Sequence, residues 1–155
     1  MNITATPTVD GVKVVKLPST DLARAVRWYV EVFGAEPELE FADDDGVVRG
    51  VSFLLPGSPA GLALRHDPAA TAGFSGFNPV SWAVADRPDI ERWMDHLDAV
   101  GVEHSPVIEA TVGWLLIFRD PDGIEHHLYT TATHGIDHGS SGYGRPYTGA
   151  HLATA

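Results

Sequence analysis

The segment Glu125-His126-His127-Leu128-Tyr129 gathers the side chains best able to move a proton in this sequence. It reads as a strand from Glu125 to Thr130, and strand alternation sets Glu125, His127 and Tyr129 on one face. An imidazole titrates near neutral pH, so His127 flanked by Glu125 and Tyr129 makes a candidate catalytic set for general acid–base work. The same three residues also fit a hydrogen-bonded structural cluster, and both readings stand at this level. Five of the eight histidines fall late in the chain, at His126, His127, His134, His138 and His151. His134 and His138 have the i, i+4 spacing of a two-histidine metal face, but Gly135 and Gly139 argue against the helix it requires. Surface histidines are the preferred reading. A divalent metal held through non-standard ligands, His127 with His134 or His138, is the alternative.

The composition removes several chemistries. No cysteine is present among the 155 residues, so thiol nucleophiles, disulfides and cysteine-ligated metals are excluded. A net charge of −11 argues against a nucleic-acid partner, which needs clustered Lys and Arg. No apolar run approaches the length of a membrane span, and Met1 to Val9 lacks the basic and apolar regions of a secretory signal. The expectation is a cytoplasmic, single-domain protein with a small-molecule partner, no nucleic acid and no membrane.

These residues need elements to place them. Val12 to Leu17 reads as a strand bounded by Gly11 and Pro18. A helix follows, with cap candidates Ser19, Thr20 and Asp21, an apolar stripe at Leu22, Val26, Tyr29 and Phe33, and Gly34 as its stop. Strands are predicted at Glu38 to Ala42, Val47 to Leu55 and Leu62 to Arg65, and His66 to Asn78 reads as a linker. The pattern then restarts. Val80 to Val84 is a strand, Pro88 opens a helix with the stripe Ile90, Trp93, Leu97 and Val100, and Gly101 closes it. Strands follow at Val107 to Glu109, Val112 to Phe118 and Glu125 to Thr130. Asp21 and Asp86, Phe53 and Phe118, and Pro56 and Pro121 each recur at an offset of 65. This is a repeat of strand, helix and three strands, with modules at about 9–67 and 79–130 and an irregular C-terminal arm at 131–155. The arm carries Tyr143, Arg145, Pro146 and Tyr147, residues suited to a contact with a partner subunit or over a cleft. Trp28, Tyr29 and Trp93 are assigned to core or interface.

The tandem order, the stretch from Leu17 to Glu36 (LPSTDLARAVRWYVEVFGAE) and the signature from Phe118 to Tyr129 (FRDPDGIEHHLY) resemble the vicinal oxygen chelate superfamily, which includes glyoxalases, extradiol dioxygenases and bleomycin-resistance proteins. The resemblance implies an α+β fold in which two tandem βαβββ modules form curved mixed sheets around a cleft. It also implies a homodimer. Members generally hold a divalent metal through four strand positions, which here correspond to Val14, Ala63, Pro79 and His127. Only the last is a ligand, and a catalytic divalent site needs about three. The resemblance therefore implies that the usual metal and cofactor are missing.

Residues sharing a face with those positions would line the cleft. They are Lys16, Arg65 and Ser81 as ligand-binding groups beside Glu125, His127 and Tyr129, with Trp114 as a stacking platform. His126 falls where the superfamily usually places an apolar residue. Two functions follow from the resemblance. One is a bleomycin-resistance-like protein binding an aromatic or bulky organic molecule without metal, which bears on antibiotic resistance. The other is an enzyme, either a metal-free isomerase, cyclase or lyase using His127, or a glyoxalase- or dioxygenase-like member with relocated ligands.

Overall fold

Asp21 and Gly34 bound the first helix as the sequence predicts. In the computed structural model, which describes residues 5–139 and 144–155, α1 runs over Leu22–Phe33. The Asp21 carboxylate accepts from the Arg24 backbone N–H at 3.0 Å, and Gly34 adopts φ 63°. Only glycine takes that left-handed conformation without cost, so Gly34→Ala is expected to lower stability by about 1 kcal/mol in urea denaturation. The strands β1 (Val14–Ser19), β2 (Glu36–Ala42), β3 (Val48–Leu54) and β4 (Gly61–His66) form sheet A in the order β1-β4-β3-β2. Pro18 lies inside β1 rather than ending it, because β1 is an edge strand and needs no ladder donor on its free side.

The segment expected to be a linker contains a short helix, α2 (Pro68–Phe74). Its start signal is present, since the Asp67 carboxylate accepts from the Ala70 N–H ahead of Pro68. The small residues that follow carry no apolar period, so the periodicity did not reveal it. The second module repeats the first. β5 (Val80–Val84), α3 (Arg87–Ala99), β6 (Ile108–Glu109), β7 (Trp114–Arg119) and β8 (Glu125–Thr130) give sheet B in the order β5-β8-β7-β6. In each sheet the first strand pairs parallel with the last, and the remaining pairs are antiparallel.

Both sheets pack on one helix layer. Leu17, Phe53, Leu62 and Leu64 of sheet A bury against Ala25 and Tyr29 of α1. Leu116, Phe118 and Leu128 of sheet B bury against Val32 of α1 and against Ile90 and Leu97 of α3. The His96 Nε2–H of α3 donates to the Val32 carbonyl at 2.8 Å, satisfying one of the free carbonyls at the end of α1. Because alternate strand residues point to opposite faces, each sheet turns its other face away from the helices and towards the outside. Among the described residues no helix is long and apolar enough to cross a membrane. Residues 1–4 and Tyr143, named in the sequence reading, lie outside the described residues.

Candidate functional site

The β7–β8 hairpin builds the site. The turn Asp120-Pro121-Asp122-Gly123 is closed by the Gly123 N–H to the Asp120 carbonyl at 3.0 Å, and Asp120 Oδ1 accepts from the Asp122 and Ile124 N–H groups. Its register sets Arg119 opposite Glu125, Ile117 opposite His127 and Leu115 opposite Tyr129, all on the open face of sheet B. The parallel partner β5 adds Ser81 beside His127.

His127 is held on this face from two sides. Its Nε2–H donates to Glu125 Oε1 at 2.8 Å, which leaves Nδ1 as the ring's acceptor. The Asn78 amide nitrogen lies against the ring, 3.3 Å from Nδ1 and 3.2 Å from Nε2. Arg119 reaches the second Glu125 oxygen at 3.3 Å. The His127 hydrogen bond, joined by Arg119, holds the Glu125 carboxyl below its ordinary range against the opposing effect of partial burial. Tyr129 shares the face but turns its hydroxyl to the β6–β7 turn, accepting from the Val112 N–H at 3.2 Å. The arrangement is a carboxylate-oriented imidazole with Nδ1 left as its acceptor.

The other side of β8 holds a group that sequence reasoning did not assign. His126 is fully buried. The Trp82 indole N–H donates to its Nδ1 at 3.0 Å. That fixes the proton on Nε2, which donates to the Tyr29 hydroxyl at 2.9 Å, and Tyr29 donates to Asp120 Oδ2 at 2.8 Å. Desolvation, with a smaller contribution from the neighbouring His127, pushes the His126 pKa down to about 3. Burial also raises the Asp120 carboxyl, against the Tyr29 and backbone hydrogen bonds that favour its ionised form. This relay runs from β5 through β8 to α1 and back to the hairpin turn, joining the two modules through satisfied polar groups.

The remaining expected site residues are dispersed. Lys16 and Arg65 lie on the open face of sheet A, and no hydrogen bond or ion pair links them to Glu125, His127 or Ser81. Trp114 stands on the other face of sheet B from Glu125, His127 and Tyr129. It shares its face with Leu116 and Phe118, packs into the helix-side core, and carries the Arg87 guanidinium 4.4 Å above its ring. Strand parity decides this, and its aromatic character does not. His134 and His138 serve the arm. His134 Nε2–H donates to the Ala110 carbonyl at 2.7 Å, its Nδ1 accepts from the Ile136 N–H, and His138 Nε2 lies 3.3 Å from Glu109 Oε1. Among the described residues no group of three or more His, Cys, Asp or Glu side chains is placed to hold a metal ion. Asn78 and Arg119 were missed by sequence reasoning. Arg119 was accessible to it, since the hairpin turn sets it opposite Glu125.

Residues 11–128 match the sequence profile of the Glyoxalase/Bleomycin resistance protein/Dioxygenase superfamily. The chain belongs to this superfamily. A glyoxylase/bleomycin resistance protein/dioxygenase domain from Frankia sp. EAN1pec is 28% identical, with a TM-score of 0.64 over 79% of this chain and 98% of that one. Lactoylglutathione lyase from Agrobacterium tumefaciens is 20% identical, with a TM-score of 0.63 over 81% of this chain and 96% of that one. The fosfomycin resistance protein FosX from Listeria monocytogenes, in complex with Mn(II) and 1S,2S-dihydroxypropylphosphonic acid, is 16% identical, with a TM-score of 0.62 over 79% and 93%. A search of the curated proteins finds no match. At the positions that the superfamily resemblance assigns to a metal, Val14, Ala63 and Pro79 carry no side-chain donor and His127 is the single ligand type. That donor set does not fit a divalent ion.

Proposed function

We propose that this chain binds a small organic molecule, aromatic or otherwise bulky, on the open faces of its sheets without a resident metal. The observation that carries this reading is His127. It stands at a superfamily ligand position with no donor at the other three, and it is engaged by Glu125 at 2.8 Å. Leu115, Ile117 and Tyr129 supply apolar surface around a few placed polar groups, the usual make-up of an organic ligand site. We further propose a homodimer. The open faces of one chain lie on opposite sides of its helix layer, so a cleft using both needs a second copy.

The Glu125–His127 pair favours a second reading, a metal-free isomerase, cyclase or lyase in which His127 moves a proton and Glu125 orients it. A thermal-shift screen tests the first reading. Mn(II) and Zn(II) are expected to leave the melting temperature unchanged. Bleomycin and fosfomycin are the first organic probes. A ligand at a hundred times its Kd stabilises the native state by about 2.7 kcal/mol, a rise of several degrees. Stabilisation by metal alone would sink the metal-free reading. A His127→Ala variant that still binds ligand but loses turnover would favour the enzyme.

A further inference from the structure

Sheet A carries two rows of side chains on its open face. One row is Lys16, Ala63, Ser52 and Leu39, read from β1 across to β2. The next is Pro18, Arg65, Gly50 and Phe41. Cations therefore stand at one side of the face and apolar groups at the other. With strands about 4.8 Å apart, the distance from Lys16 to Leu39 is about 14 Å.

Three observations make this face a site rather than ordinary surface. First, the strands hold four cations, and the two on other faces are neutralised, Arg49 by Asp43 and Arg119 by Glu125. Lys16 and Arg65 have no ion pair among the described residues, although the chain carries a net charge of −11. No acidic residue stands in either row, and Glu36 opposite Leu54 lies at the apolar end of the face, away from the two cations. Second, Ser52 Oγ lies between the cationic and apolar sides, buried and without a hydrogen-bond partner. Third, Leu39, Phe41 and Leu54 are each more than half exposed, an apolar surface that nothing among the described residues covers. At Gly50 a Cβ would crowd the Leu64 carbonyl oxygen at 3.2 Å, so this position between Arg65 and Phe41 carries no side chain.

The geometry points to a binding site for an amphipathic organic anion, with its acid group on Lys16 and Arg65 and its aromatic or aliphatic body on Leu39 and Phe41. This assignment rests on the small-molecule reading and adds the charge class of the ligand. A neutral ligand would leave both cations unused. A cation would meet local repulsion from Lys16 and Arg65.

The test uses two fluorescent probes of matched shape on the full chain, anionic anilinonaphthalenesulfonate and uncharged N-phenylnaphthylamine. The anion is expected to bind at one site per chain, at least tenfold more tightly than the neutral probe and less tightly as NaCl rises. Lys16→Gln with Arg65→Gln should weaken the anion about tenfold or more and leave the neutral probe within twofold. Phe41→Ala should weaken both probes. Circular dichroism of each variant should match the parent, showing that the fold is kept. Equal affinity for the two probes, or a double variant that binds the anion as the parent does, overturns the assignment while the small-molecule reading stands. Failure of both probes to bind overturns the assignment and counts against that reading on this face.

Discussion

Replacing His126 with alanine is expected to cost about 3–5 kcal/mol of stability, the largest effect of any single substitution discussed for this chain. The ring is fully buried and stacks at 5.6 Å on Phe118, with Trp28, Phe33 and Trp82 around it. Alanine leaves a cavity among aromatic side chains. It also strands the Trp82 indole N–H, which loses its acceptor, and the Tyr29 oxygen, which loses its donor. Each unsatisfied buried group adds about 1–3 kcal/mol. A typical domain has only about 5–15 kcal/mol in total, so the variant should unfold at a much lower urea concentration. Tyr29→Phe separates the terms. It keeps the ring and removes one hydroxyl, so it should cost about 1–3 kcal/mol. A His126→Ala loss below 1 kcal/mol would show that the relay does not hold the modules together.

The same residue predicts steep acid destabilisation. Folding lowers the His126 pKa to about 3 from an ordinary value near 6.5. Between these values the unfolded chain binds a proton that the native chain does not, so stability falls as pH falls through this window. The slope approaches about 1.4 kcal/mol per pH unit, which gives about 3 kcal/mol between pH 7 and pH 4. Glu125, held low by His127 and Arg119, adds to the loss once its carboxyl begins to protonate. Asp120 acts in the opposite sense. Burial raises its carboxyl, so between its ordinary range and that raised value the native state holds the extra proton and is favoured by acid. Urea denaturation at a series of pH values should show the His126 slope dominating. His126→Leu should flatten it, at the cost of lower stability at neutral pH. An unchanged slope in that variant would assign the acid sensitivity to other groups.

Much of the architecture was readable because its signals are local. Asp21 and Gly34 at the ends of α1, Asp86 before Pro88, and the Asp120–Gly123 turn all act within a few residues, and each appears where the sequence placed it. The short helix α2 escaped because Ala-Ala-Thr-Ala-Gly offers no stripe to detect, although its Asp67 cap was visible. The site was readable only in part. Alternation along one strand correctly grouped Glu125, His127 and Tyr129, since parity within a strand is a covalent fact. Trp114 stands on the helix side with Leu116 and Phe118, so parity separates it from Glu125, His127 and Tyr129.

The sequence by itself determined the tandem βαβββ repeat, the superfamily, and the absence of donor atoms at Val14, Ala63 and Pro79. These depend on residue identity and short spacing, which no packing can alter. Tertiary structure decided what His126 does and how the two open faces are disposed. The His126 partners Tyr29 and Trp82 lie 97 and 44 residues away, so no local rule brings them together. The separation of the Lys16–Arg65 face from the Glu125–His127 face follows from both sheets burying their apolar sides on the same helix layer. That choice is made by the competition among apolar surfaces for burial, a property of the whole chain rather than of any segment.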